Sequence, residues 1–285
     1  MGFGQTEKRK GSVNMKYKMI ALDLDGTLTN SKKIITPETK RALFTYQKQG
    51  GRVILASGRP TPGIVPLAKE LELEKYNGFI LAFNGSRIQN CATGEVLFNQ
   101  TLKIDEMAEI HQLTEKYHMN VLTYEGDVIY TENELDPYAL LEQRITKMQM
   151  VQVPDISKAV KTPANKCLMT GEPEILIEVE RKVKEAMGDR IEVYRSQDFF
   201  LELVPQHVDK AASLDRLLET LKIKKEELIA CGDGLNDLSM IQYAGLGVAM
   251  QNAHQDIQNV ADYVTLSNDE DGIAHVLEKF VFVAA

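Results

Sequence analysis

Three apolar runs in this chain, Met19 to Leu24, Arg52 to Ala56 and Leu228 to Cys231, each end in a short polar loop that contains glycine. Runs of this length with little polar alternation suit strands buried on both faces, which occur in parallel sheets covered by helices. The intervening segments agree. Thr36 before Pro37 has the pattern of a helix N-cap followed by proline at the first helical position, and Gly50 with Gly51 ends that helix. The C-terminal part repeats the alternation, with a helix over 210–221, the strand at Leu228, a loop over 232–236, a short helix to Tyr243, strands over 246–250 and 263–265, and a closing helix from Asp271. Alternating strands and helices at both ends predict a doubly wound α/β core with a parallel, Rossmann-like sheet.

Between the two ends the pattern changes. Amphipathic segments over 104–118 and 172–187 alternate with short β-rich runs over 121–123, 128–131 and 199–204, which reads as an inserted α+β module. The expected organisation is a core built from residues 15–84 and 205–285, with residues 85–204 as a cap. Asn84-Gly85 and Pro205 are the expected hinges. Residues 1–14 are polar and lack the apolar segment of a signal peptide, so they are expected to be a flexible leader or cloning scar before a natural start at Met15.

Composition removes several functional classes. At 285 residues the chain suffices for about two domains. No apolar run approaches the roughly 20 residues of a membrane span. A formal net charge of -8 repels a phosphate backbone, which argues against nucleic acid as a partner. Cys91, Cys167 and Cys231 are odd in number, far apart and without metal-type spacing, as suits a reducing cytoplasm.

The strand-end loops carry the chemistry. Asp23 and Asp25 are one residue apart, and alternate side chains of a strand share a face, so they are expected to leave the sheet side by side before the turn at Gly26. An Asp-x-Asp-Gly string alone is also ordinary turn chemistry. The second acidic loop decides between the two readings. Asp233 and Asp237 can reach the same point if the strands are neighbours, and several carboxylates around one point need a cation, for which Mg²⁺ is the suited hard ion. Ser57, with its own N–H and that of Gly58, can donate to phosphate oxygens. Lys210 at a helix start opposes the helix dipole, which an anionic partner would explain, and Asp209 before it suits an N-cap. Asn236 can help hold phosphate or cap the following helix.

In this order the motifs resemble those of the haloacid dehalogenase-like phosphohydrolases, and more narrowly their Cof-type sugar-phosphatase branch, over essentially the whole chain from Met15. The first motif is Asp23, Asp25, Gly26 and Thr27, the second Ser57, the third Lys210, and the fourth Asp233 and Asp237. Branch features include Ser57-Gly58-Arg59, Asn84-Gly85, Asn252-Ala253 and the segment from Asn268 to Gly272. One departure is Ala211, where relatives often have glycine after the lysine.

The resemblance implies a phosphatase that uses an aspartyl-phosphate. Asp23 would be the nucleophile and Asp25 the general acid and base. Ser57, Gly58, Lys210 and Asn236 would hold phosphate, and Mg²⁺ would sit among Asp23, the Asp25 carbonyl, Asp233 and Asp237. The expected substrate is a small phosphorylated metabolite, foremost a sugar phosphate, enclosed by the cap, with Tyr124, Glu125 and Tyr194 as candidate contacts. A phosphomutase using the same chemistry, and a non-catalytic phospho-receiver or metal-binding regulator, are the alternative readings.

Overall fold

The computed structural model describes residues 15–282, so the leader expected at 1–14 lies outside the described residues. The chain begins with β1 (Met19–Leu22), α1 (Pro37–Lys48), β2 (Arg52–Ala56), α2 (Thr61–Glu70), β3 (Phe79–Ala82), β4 (Arg87–Asn90) and β5 (Val96–Asn99). It continues through α3 (Ile104–Tyr117), β6 (Asn120–Glu125), β7 (Val128–Thr131), α4 (Pro137–Thr146), β8 (Gln149–Gln152), α5 (Ile156–Ala159), β9 (Cys167–Thr170), α6 (Pro173–Met187), β10 (Ile191–Gln197) and β11 (Phe200–Pro205). It closes with α7 (Lys210–Leu221), β12 (Leu228–Gly232), α8 (Leu238–Tyr243), β13 (Leu246–Ala249), α9 (Gln255–Val260), β14 (Tyr263–Val264) and α10 (Gly272–Phe280).

The strands form two sheets. One has eight strands in the order β14-β13-β12-β1-β2-β3-β4-β5, parallel from β14 through β3. β1 lies between β12 and β2, and all four of its residues are buried, as an apolar run in a covered parallel sheet requires. This order sets the carboxyl ends of β1, β2 and β12 side by side, where ligands bind in open α/β sheets. The second sheet has six strands in the order β10-β11-β9-β6-β7-β8. Its pairs are antiparallel except β7 with β8, and α3, α5 and α6 share a core with its residues Val121, Cys167 and Leu203.

Local signals explain the helix starts. The Thr36 hydroxyl accepts from the Thr39 N–H at 3.2 Å, and Asp209 accepts from the Ala212 N–H at 2.9 Å. Gly50 follows the first helix at φ +102°, a conformation only glycine takes without strain.

The insert departs from expectation at its first boundary. β4 pairs antiparallel with β3, and β5 with β4, so residues 87–99 extend the eight-stranded sheet rather than begin the second one. Polar residues in Arg87–Asn90 hide this hairpin from a search for apolar runs. Asn84-Gly85 is consequently no crossing point between sheets. The Gly85 carbonyl accepts from the Ser213 hydroxyl at 2.6 Å, and a Cβ at Gly85, whose φ is +109°, would stand 2.6 Å from the Asp209 carbonyl oxygen. The chain instead crosses after β5 and after β11, where the Gln100 amide donates to the Gln206 carbonyl at 2.7 Å. Among the described residues no helix is long and apolar enough to cross a membrane.

Candidate active site

After β1 the chain turns back on itself, with the Leu28 N–H bonded to the Asp23 carbonyl and the Thr29 N–H to the Leu24 carbonyl. Gly26 makes the turn possible. Its φ is +86°, and an added Cβ would fall 2.2 Å from Oδ2 of Asp233. Asp233 is thereby brought close to the first motif, and the Thr27 hydroxyl donates to its Oδ1 at 2.7 Å.

Lys210 joins the three strand ends. Its side chain is fully buried, and Nζ donates to Asp23 Oδ1 at 2.6 Å, Asp237 Oδ1 at 2.5 Å and the Ala56 carbonyl at 2.9 Å. These use all three ammonium protons. Burial favours neutral lysine, but Asp23 and Asp237 outweigh it, so the Lys210 pKa is raised. Asp237 is equally buried, and its Oδ2 accepts from the N–H groups of Asp233 and Gly234 at 2.9 and 3.0 Å. Oδ2 of Asp23 and Oδ2 of Asp233 accept no hydrogen bond among the described residues.

Asp23, Asp233 and Asp237 each offer an oxygen within 4.8 Å of the others. Three carboxylates face one ammonium, and the excess negative charge shows in their proton affinities. Burial, then Asp237, pushes Asp23 up to about 8 against the pull of Lys210. Burial pushes Asp233 up to about 6, with Thr27 opposing. An oxygen-only donor set with unspent negative charge fits a hard divalent cation.

Asp25 does not join this cluster. Its carboxylate turns to Arg59, whose Nε and Nη2 donate at 2.8 and 2.7 Å, and to Lys33 Nζ at 2.8 Å. Burial pushes the Asp25 carboxyl up, and these two cations more than offset it, leaving its pKa below the usual carboxylate value. The expectation that Asp23 and Asp25 leave the sheet side by side is therefore corrected, since three carboxylates cluster and that of Asp25 stands apart from them. The turn at Gly26 ends the strand alternation that would have kept both aspartates on one face.

The second-motif loop also departs in one detail. The Ser57 N–H donates to the Leu81 carbonyl at 2.9 Å, because Ser57 prolongs the pairing of β2 with β3, so this N–H is not free for phosphate. Its buried hydroxyl accepts from the Arg59 N–H at 3.2 Å. Asn236 is exposed and does not cap α8. Its amide donates to Asn84 Oδ1 at 3.0 Å. Phe83 and Asn84 are successive left-handed residues at φ +52° and +55°; asparagine tolerates this region, but for Phe83 it costs roughly 1–2 kcal/mol, and strain of this kind concentrates at functional sites.

The cap reaches this rim. Asn84 Nδ2 donates to the Tyr194 hydroxyl at 3.1 Å, and Lys166 Nζ to the Gly58 carbonyl at 3.4 Å. Tyr124 is buried with its hydroxyl on Glu142 at 2.8 Å. Glu125 points elsewhere, accepting from Lys161 and Thr162 N–H groups at 2.9 Å in the cap's own loop, so its expected place among the substrate contacts is withdrawn. Arg59, Lys33 and Lys166 were not given roles from sequence. Arg59 lies two residues after Ser57, the one positional signal that pointed to it.

The family model of the haloacid dehalogenase-like hydrolases matches residues 20–277. The phosphatase YwpJ of Bacillus subtilis is 30% identical over 290 residues, spanning 93% of this chain and 100% of its own. The 5-amino-6-(5-phospho-D-ribitylamino)uracil phosphatase YcsE of the same organism is 29% identical over 269 residues, spanning 94% and 97%. A crystal structure of a haloacid dehalogenase-like hydrolase from Bacteroides thetaiotaomicron is 47% identical, covers 93% of this chain and 99% of its own, and superposes with a TM-score of 0.90. The subclass IIB sugar phosphatase BT4131 superposes with a TM-score of 0.76 at 25% identity, covering 92% and 98%.

Proposed function

This chain belongs to the haloacid dehalogenase-like hydrolase family, in its Cof-type branch, and is a phosphoric monoester hydrolase; from that membership we propose a Mg²⁺-dependent phosphatase of small phosphorylated metabolites, foremost sugar phosphates. The observation that carries the reading is the buried ammonium of Lys210 shared by Asp23 and Asp237, with Asp233 beside them at adjacent strand ends.

Asp23 is the proposed nucleophile. Its carboxylate oxygen forms the bond to phosphorus as the ester bond breaks, and the leaving oxygen takes a proton from Asp25. Water then attacks the aspartyl-phosphate, giving its proton to Asp25 and freeing Asp23. The pairing of Asp25 with Arg59 and Lys33 suits the second half, in which a carboxylate must accept a proton. In the first half the entering phosphate, itself an anion, competes for those cations, and each one drawn away raises the proton affinity of Asp25.

Asp23, the Asp25 carbonyl and Asp233 would hold the metal, with Asp237 in support through Lys210 and the loop N–H groups. Bound Mg²⁺ would neutralise charge on the phosphoryl oxygens as they approach the Asp23 carboxylate. Ser57 Oγ, the Gly58 N–H and Asn236 are the proposed phosphate contacts, and Lys210 would join them by turning the proton it now gives to Asp23 towards a phosphoryl oxygen as that carboxylate is esterified. The sugar-phosphate class is supported by the sugar phosphatase and the phosphoribityl phosphatase among the relatives. A cytoplasmic setting is supported by three free cysteines.

The test is turnover of an aryl phosphate by purified protein. Activity should vanish with a chelator and return with Mg²⁺, and full turnover in metal-free protein would sink the reading.

A further inference from the structure

The cap sheet shows the core a face of two characters. Leu122, Leu168 and Phe200 on that face pack into the apolar core cluster that also contains Phe83. Where the same face overlies the Gly58 and Asn84 loops, it carries Lys166, Glu202 and Tyr194 instead. Lys166 and Glu202 are each 5% exposed, and Nζ stands 2.9 and 3.3 Å from the two carboxylate oxygens. Glu202 also accepts from the Ser196 hydroxyl at 2.8 Å. Lys166 reaches the Gly58 carbonyl, one residue past Ser57, and Tyr194 reaches Asn84.

Burying an ion pair gains little over apolar residues of similar volume, and the neighbouring positions on this face are apolar. The buried charge on this face stands over the reacting loops, where it calls for a ligand. We propose that Lys166 and Glu202, with Tyr194, form the subsite for the leaving group of the phosphate ester, and that this subsite takes an uncharged polyhydroxy group rather than a second anion.

The chemistry is complementary. An ammonium only donates and a carboxylate only accepts, whereas a hydroxyl does both. Two hydroxyls on neighbouring carbons can therefore enter between Nζ and the carboxylate and leave neither charge unpartnered. The cap's hydrogen bonds to Gly58 and Asn84 are the ones such a group would replace. The sign of the local charge disfavours the alternative. Burial lowers the proton affinity of Lys166, but Glu202 and Glu142 outweigh it, so this one cation already faces two carboxylates. A second phosphate would meet net negative charge there.

This inference rests on the phosphatase reading, and one measurement separates the two. The ratio of kcat/KM for a hexose 6-phosphate to that for an aryl phosphate is measured for the wild-type protein, Glu202→Gln, Lys166→Met and Tyr194→Phe. A hydrogen bond to a charged group is worth about ten-fold or more, so the ratio should fall about ten-fold in the first two variants and less in the third. The wild-type protein should also turn over a hexose bisphosphate more slowly than the monophosphate, and Glu202→Gln should narrow that gap. A melting curve accompanies each variant. If a single variant fails to fold, Lys166→Met with Glu202→Leu removes both charges together and must lower the same ratio. Ratios within about two-fold of wild type, less than the worth of one ordinary hydrogen bond, would overturn the subsite, as would a wild-type preference for the bisphosphate. No aryl phosphate turnover with Mg²⁺ would instead remove the phosphatase reading beneath it.

Discussion

Two buried lysines sit in this molecule about one loop apart, and their surroundings differ in a telling way. Lys210, at the strand ends of the eight-stranded sheet, faces Asp23 and Asp237 with Asp233 close by. Lys166, on the cap sheet, has one direct carboxylate partner, Glu202. The first group keeps an excess of negative charge and raised carboxyl pKa values, a site incomplete without a further cation. The second is one direct ion pair, in which Glu202 Oε2 accepts no hydrogen bond among the described residues and Glu142 adds a further negative charge. A region that handles a phosphoryl group and a divalent ion needs carboxylate oxygens left over for a cation, whereas a region that selects an uncharged hydroxylated group needs a donor beside an acceptor and no spare cation for a second anion.

The sharpest way to break this contrast is to remove the proposed nucleophile, Asp23. Asp23→Asn should lower kcat by at least about a thousand-fold, since the loss of a covalent step is the largest effect a single side chain gives. It should also abolish any trapped phosphoenzyme or fluoroberyllate adduct, while Asp25→Asn still forms one with a good leaving group. An adduct found on another residue would reassign the role.

Metal binding tests the charge excess directly. The raised pKa values of Asp23, about 8, and Asp233, about 6, mean that the metal-free site keeps a proton on Asp23 at neutral pH and takes up a second as pH falls towards 6. Mg²⁺ must displace them, so its affinity should fall as pH drops from about 8 to about 6, with protons released on binding. Calorimetry in buffers of different ionisation enthalpy reads this release. Stability should carry the same sign. Between the ordinary carboxylate pKa and these raised values the folded state holds more protons than the unfolded one, so the metal-free protein loses stability as pH rises through that interval. Mg²⁺ affinity constant across the window would contradict the assignment.

A third pair of variants compares the lysines themselves. Removing one partner from a buried ion pair costs about 3–5 kcal/mol, so Lys210→Met and Lys166→Met should both lower the melting temperature. Only the first should be rescued by Mg²⁺, because only there does the lost charge come from a site that accepts another cation. Equal rescue of both would erase the distinction.

The two regions also differed in how far the sequence could be read. Asp23, Ser57, Asp233 and Asp237 stand within short motifs at the ends of apolar runs, and strand order brings them together, while Lys210 reaches them from the first turn of α7. The cap site has no such signal. Lys166 immediately precedes β9 and Glu202 lies on β11, 36 residues later, and their meeting depends on the register that sets Glu202 opposite Leu168. Within the core, reading failed where a turn broke periodicity. Strand alternation placed Asp25 beside Asp23, but the turn at Gly26 hands its carboxylate to Arg59. The hairpin of β4 and β5 escaped because β4, with Arg87, Gln89 and Asn90, lacks the apolar run that marked its neighbours.

The smallest expected effect concerns that handover. Asp25 is 38% exposed, so solvent screens its bond to Arg59, and Arg59→Gln should cost no more than about 1 kcal/mol at pH 7. The sign of the pH dependence identifies the cause. The folded-state pKa of Asp25 is depressed, so the pair contributes stability above the unfolded pKa of about 3.9 and loses it as pH falls through the folded value. Urea midpoints for wild type and Arg59→Gln should therefore converge as the solution is acidified from pH 7 through the ordinary carboxylate range. Arg59 also donates to the Gly63 carbonyl at 3.4 Å, a contact that does not titrate. A difference between the two proteins that stays constant with pH would assign the role of Arg59 to holding α2 in place, and Asp25 would then need another source for its low proton affinity, with Lys33 the remaining cation in reach.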